Sequence, residues 1–185
     1  APGLSVRKDN GEPAWDALSP EGPLRRWRLI EINQPAAQPL TTSPIRADER
    51  IVNYVKGLNY LDDRLAPLLV PFDTAADGQE LPPSQGEAPA LVVRYLTQTP
   101  HSGPPVIQLL GADPASKQLV AQAAADELDL LLYRMPVGLL PAQVGELETV
   151  ARLWERESIL LPIALYLDAH EIDADDRPEG QAPPL

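Results

Sequence analysis

Between Val106 and Asp168, three short apolar runs alternate with two amphipathic stretches, and no other feature constrains the fold so tightly. Val106–Leu110, Leu130–Arg134 and Ile163–Leu167 have strand composition. Ala115–Leu128 places Leu119, Val120, Ala123, Ala124 and Leu128 at helical spacing, and Pro141–Ser158 does the same with Val144, Leu147, Val150, Ala151 and Trp154. A helix between two strands of one sheet returns the chain to the same end, so such strands pair in parallel. An α/β unit over residues 90–185 is therefore expected, its parallel sheet flanked by helices.

The preceding part reads differently. Residues 1–23 are irregular, and Trp27–Ile32 predicts a strand, with a second at Pro39–Thr42. Ser43 is a good helix cap, Pro44 suits the first helical position, and Ile45, Ile51, Val52, Val55 and Leu58 share a face up to Gly57. Asn59 then caps a second short helix through Leu65, stopped by Pro67 and Pro71. A strand hairpin beside two short helices predicts a small winged-helix-like module over 1–72. Residues 73–89, poor in apolar side chains at their start and rich in turn formers, are the expected linker. Leu91, Val92, Tyr95 and Leu96 favour a helix, with the run Leu91-Val-Val-Arg-Tyr95 leaving a strand as the alternative.

Composition narrows the function classes. With 185 residues, 44% of them apolar and 5% aromatic, the core must be aliphatic. A net charge of −12 opposes contact with a phosphate backbone, so no nucleic acid is expected as partner. Arg25-Arg26-Trp27-Arg28 is the one basic cluster; it is read as solvating a strand and pairing with carboxylates, with duplex DNA the lesser alternative. No apolar run has the length of a membrane span and the start is no signal peptide, so a cytoplasmic protein without membrane contact is expected. The absence of cysteine excludes disulfides and thiolate metal sites. The missing initiator Met fits its removal before Ala1; a segment of a longer polypeptide fits both that and the Pro-rich tail.

The first apolar run leads into Gly111-Ala-Asp-Pro-Ala-Ser-Lys-Gln118, which keeps the GxxxxGK[ST] spacing of a phosphate loop but not its residues. Lys117 stands where a lysine would meet phosphate. Ser116 replaces the second glycine, and Gln118 replaces the hydroxyl that holds Mg²⁺. Asp113 and Pro114 form a cap and first-turn pair: the carboxylate takes the amides that a phosphate needs and repels the phosphate, while the imino ring removes one N–H. Asp168 ends the third run as a metal-linked acid would, but Ala169 stands where a catalytic Glu is expected. His101 and His170 are the only histidines. His170 among Asp168, Glu171, Asp173, Asp175 and Asp176 is read as a solvated acidic tail rather than a divalent-cation site. No catalytic residue and no metal ligand set is assigned.

Taken together, Gly111–Gln118, Leu131-Leu-Tyr-Arg134, Gln143-Val-Gly-Glu-Leu-Glu148 and Ala164-Leu-Tyr-Leu-Asp168 resemble the first half of an AAA-type ATPase domain. With Leu24–Ile32 and Ser43–Ile51, the chain is similar to the amino-terminal portion of bacterial AAA-family ATPases that carry a winged-helix-like module and a degenerate ATPase domain ahead of an active one. Some of these are encoded with phage-tail-like contractile injection systems. The resemblance implies a degenerate nucleotide site at Gly111, Asp113, Ser116, Lys117, Gln118 and Asp168, and a pore-loop-like segment at Val144, Gly145 and Glu146. It also implies a sheet order of 5-1-4-3-2, left incomplete after the third strand; no cofactor for this chain, with ATP and Mg²⁺ in the parent protein; protein partners; and a hexamer of the full-length protein. The expected role is non-catalytic, in assembly, regulation or partner binding. An ATPase site active only in the full-length oligomer, and an adaptor unrelated to nucleotides, are the alternatives.

Overall fold

A computed structural model of the chain describes residues 15–35, 39–72, 81–98 and 106–170. Two compact units divide between Tyr60 and Leu61.

In the first unit a 3-10 turn at Trp15–Leu18 precedes helix α1, Pro23–Arg26. Strand β1, Ile30–Ile32, pairs antiparallel with β2, Ile45–Ala47, in the register Ile30↔Ala47 and Ile32↔Ile45. The opposed pair Glu31 and Arg46 adds an exposed ion pair, its Arg46 Nε donating to Glu31 Oε2 at 2.7 Å. Helix α2, Glu49–Val55, starts at Asp48, whose carboxylate accepts from the Arg50 N–H at 3.1 Å. It stops before Gly57, where φ is +85° and a side chain would be strained.

Three expectations fail in this region. The second strand is Ile45–Ala47 and not Pro39–Thr42, whose last three residues form a 3-10 turn. The helix cap is accordingly Asp48 and not Ser43, which donates its hydroxyl to the Pro39 carbonyl instead. The reason is pairing: Ile45–Ala47 supplies a partner for β1, and local cap preference yields to it. Nor does Tyr60–Leu65 form a helix. The Asp62 carboxylate accepts from the Arg64 N–H at 2.8 Å, a local turn that competes with helical bonding, and a 3-10 turn follows at Ala66–Leu68.

The second unit holds a three-stranded sheet. Strand β3, Val70–Pro71, lies antiparallel to β4, Leu131–Pro136, which pairs in parallel with β5, Ile163–Asp168. Helix α3, Ala88–Gln98, bears out the helical reading of Leu91–Leu96. Helix α4, Pro114–Glu127, leads into β4, and α5, Val144–Leu160, makes the crossover to β5. The parallel pairing of the second and third apolar runs, Leu131↔Ile163 through Pro136↔Asp168, follows the alternation in the sequence.

The first run does not join them. Among the described residues Val106–Leu110 has no strand partner, and Val106 and Leu110 are 84% and 82% exposed. Apolar composition permits a strand, but only a neighbour's hydrogen bonds make one. Both edges of β4 are already taken, by β3 and β5. A P-loop-type sheet is therefore not seen among the described residues.

The core is Leu65, Leu69, Met135 and Leu153, with Tyr133, Val150, Trp154 and Leu165 packed around it. Tyr133 and Trp154 meet edge to face at 6.4 Å. Leu65 and Leu69 belong to this core although the sequence reads them as the end of the first module. Helix α5 presents the expected face only in part: Val150 and Trp154 pack on the core, but Val144, Leu147 and Ala151 are exposed, and Leu153, Arg156 and Glu157 are buried. Apolar spacing along the helix finds only part of the inward stripe, because two charged residues complete it in the interior.

Arg156 is shared between the carboxylates of Asp62 and Glu157. Arg156 pairs with the Asp62 carboxylate and donates from Nη2 to Glu157 Oε1 at 3.0 Å; Arg64 Nη2 donates to Asp62 Oδ2 at 2.6 Å. Burial alone would raise the Asp62 pKa, but the hydrogen bonds from Arg64 and the charge of Arg156 outweigh it and bring the group to about 2 from 3.8. A depressed folded-state pKa stabilises the protein above the unfolded value, and that gain disappears as pH falls from about 4 towards about 2. Chemical denaturation across that range should show roughly 2 kcal/mol of stability lost through this group, and a visibly flatter acid limb in Asp62→Asn. An acid limb identical in the two proteins would contradict this role of Asp62.

Candidate functional site at the first turn of α4

The site starts from the Asp113-Pro114 pair. Asp113 is extended, at φ −93° and ψ 108°, and its carboxylate accepts from the Ala115 N–H at 3.1 Å and the Ser116 N–H at 3.3 Å. The Ser116 hydroxyl donates to the same carboxylate. Ser116 is buried, so this hydroxyl faces the cap and not solvent. The hydrogen bond from Ser116 leads the effects that hold the Asp113 carboxyl below its usual range, and the two backbone amides act in the same direction. The Lys117 N–H is directed at the Asp113 carbonyl at 3.4 Å. Pro114 has no N–H to offer. The amides that would cradle a phosphate are thus engaged or missing.

Gly111 sits two residues ahead of the cap with φ +154°, a conformation that side chains disfavour, in open surroundings. Gln118, one turn into α4, donates from Nε2 to Asp168 Oδ2 at 3.4 Å. The structure thus joins two residues that lie 50 apart in sequence and that the loop motif and the third strand single out separately. Asp168 is nearly buried, its side chain 12% exposed, and Arg134 Nε lies 3.2 Å from Oδ2. Asp168 Oδ1 accepts from the His170 N–H at 3.1 Å. Beside them the Tyr166 hydroxyl is pushed up, first by burial and then by the Asp168 charge, with Arg134 opposing.

Val144, Gly145 and Glu146 form the first turn of α5, exposed. The Gly145 carbonyl there accepts from the Thr149 hydroxyl at 2.9 Å. His101 and the acidic residues from Glu171 to Asp176 lie outside the described residues. Among the described residues no three His, Asp or Glu side chains gather as a metal site.

Arg134 is the site residue to which the sequence assigns no role, since it closes an apolar run and a segment of the resemblance without a motif of its own. The signal that finds it is the β4–β5 register: Arg134 stands opposite Tyr166 and Pro136 opposite Asp168. Residues two apart share a face of the sheet, so Arg134 and Asp168 are diagonal neighbours.

The hairpin of β1 and β2 between α1 and α2 has the element order of a small helix-and-wing fold, and residues 14–69 match the family described as winged helix domain, variant. A winged helix domain lies at residues 14–69. Two of its basic side chains are engaged locally: Arg25 Nη1 donates to the Leu18 carbonyl at 3.3 Å, and the Arg26 guanidinium lies 5.7 Å from the Trp27 ring centre. The part of the winged helix match from Leu61 onward belongs to the second compact unit. No curated protein and no solved structure matches the chain. No helix among the described residues is long and apolar enough to cross a membrane.

Proposed function

We propose that this chain is a non-catalytic part of an AAA-type ATPase that acts through protein contacts, in assembly or regulation. The observation that carries the reading is the mouth of α4, where the Asp113 carboxylate holds the Ala115 and Ser116 amides in the place a triphosphate would need. The Gln118–Asp168 contact supports it further, because a hydroxyl-for-amide exchange at that position removes a Mg²⁺ ligand while preserving the approach of helix to strand. The parallel β4–β5 pair agrees with the neighbouring second and third strands of the 5-1-4-3-2 order. Protein rather than nucleic acid is the partner, given the charge of −12 and the local engagement of Arg25 and Arg26. The winged helix domain ahead of this unit fits the same architecture.

A second reading, an adaptor unrelated to nucleotides, draws on Val106–Leu110, which pairs with no strand among the described residues although a nucleotide-binding sheet needs that segment as one. Titration of the chain with a fluorescent ATP analogue, with and without Mg²⁺, tests the silent site in either case. No saturable signal is expected at micromolar protein and analogue. Micromolar, Mg²⁺-dependent binding lost in Lys117→Ala would overturn the proposal.

A further inference from the structure

Side chains from three elements converge on Asp168: Arg134 of β4 at 3.2 Å, Gln118 of α4 at 3.4 Å, and Asp168 itself at the end of β5. Gln118 donates a hydrogen bond to Oδ2, and Arg134 Nε lies at ion-pair distance from the same oxygen. A Mg²⁺ ion needs oxygen donors in near-octahedral array. The groups offered here are one carboxylate, an amide N–H and a guanidinium. The guanidinium is decisive, because it keeps its charge at every accessible pH and repels a second cation at this distance. The residues do not fit a metal.

We infer that Arg134 is the resident cation of this site, a positioning residue that neutralises Asp168 at the carboxyl-terminal end of the β4–β5 pair, where Gln118 ties α4 to the same carboxylate. In nucleotide-binding sites of this layout a diffusible ion and a phosphate hold helix and strands together. Here the protein supplies both charges itself, the Asp113 carboxylate at the helix mouth and the Arg134 guanidinium at the strand end. The arrangement of helix and sheet is then independent of ligand, as a scaffold for protein contacts requires. This role for Arg134 deepens the proposed silent-site reading and rests on it for the comparison with a cation position.

A mutant cycle on the full 185-residue chain tests it. Arg134→Met and Asp168→Asn are each expected to lower the urea midpoint, and the double variant no further than the worse single one, since both remove one interaction. Mn²⁺ followed by water-proton relaxation should show no millimolar site on the native chain that Asp168→Asn removes. Additive losses, or a saturable Mn²⁺ site abolished by Asp168→Asn, would overturn the assignment. Should Arg134→Met not fold, Arg134→Lys decides: a midpoint close to native supports a charge role, and failure of that variant to fold refutes it. If the ATP analogue binds while the cycle is non-additive, the silent-site proposal falls and the role of Arg134 stands.

Discussion

Arg156→Ala is expected to lower the unfolding free energy by about 3–5 kcal/mol, the largest effect of any single charged residue in the second unit. The Arg156 side chain is 3% exposed and lies between Asp62 at 2% and Glu157 at 0%. Removing it leaves two carboxylates in the interior without the cation they share. Arg64 still serves Asp62, through Nε at 2.9 Å and its backbone N–H at 2.8 Å. Glu157 loses more, because Arg156 reaches its Oε1 twice, from Nε at 3.2 Å and from Nη2 at 3.0 Å. Arg156→Met, which preserves length without charge, should lose nearly as much. Equilibrium urea denaturation measures both, and a loss under about 1 kcal/mol for the alanine variant would show that the cluster is hydrated and weakly coupled.

Leu153→Ala should cost about 2–5 kcal/mol, because Leu153 is buried against Leu65, Leu69 and Met135, whose close packing leaves the truncated side chain's space unfilled. Leu153→Met, conserving volume, should stay under about 1.5 kcal/mol. On the same helix Ile159 is 68% exposed, and Ile159→Ala should change stability by no more than about 0.5 kcal/mol. The contrast locates the inward face of α5 experimentally. Equal losses at Leu153 and Ile159 would mean that the helix is rotated from this orientation.

Some elements are legible in the residues because the chemistry that makes them is local. Asp113-Pro114 announces the start of α4, since a side-chain acceptor and a ring-fixed φ act within one turn, and both work there as expected. Gly57 ends α2 for an equally local reason. The inward stripe of α5 is legible only in part, at Val150 and Trp154. Arg156 and Glu157 are charged, and their burial becomes tolerable because Arg156 pairs with Glu157 and with Asp62, 94 residues before it. Likewise Ser43 and Pro44 are a sound helix start by local rules, yet β1 recruits the next residues as its partner.

For the candidate site the division is the same. The departures at Ser116, Lys117 and Gln118 from a working phosphate loop, and the acid at the end of the third apolar run, are visible in the order of residues alone. So are the helix mouth closed by its own aspartate and the alternation that makes β4 and β5 parallel. Tertiary structure decided which strands find neighbours, leaving Val106–Leu110 without one among the described residues, and it brought Arg134 to Asp168. Caps and turns depend on atoms a few residues apart, which a sequence contains directly. Strand register and the pairing of buried charges depend on which distant segments share a surface, and only the folded chain specifies that.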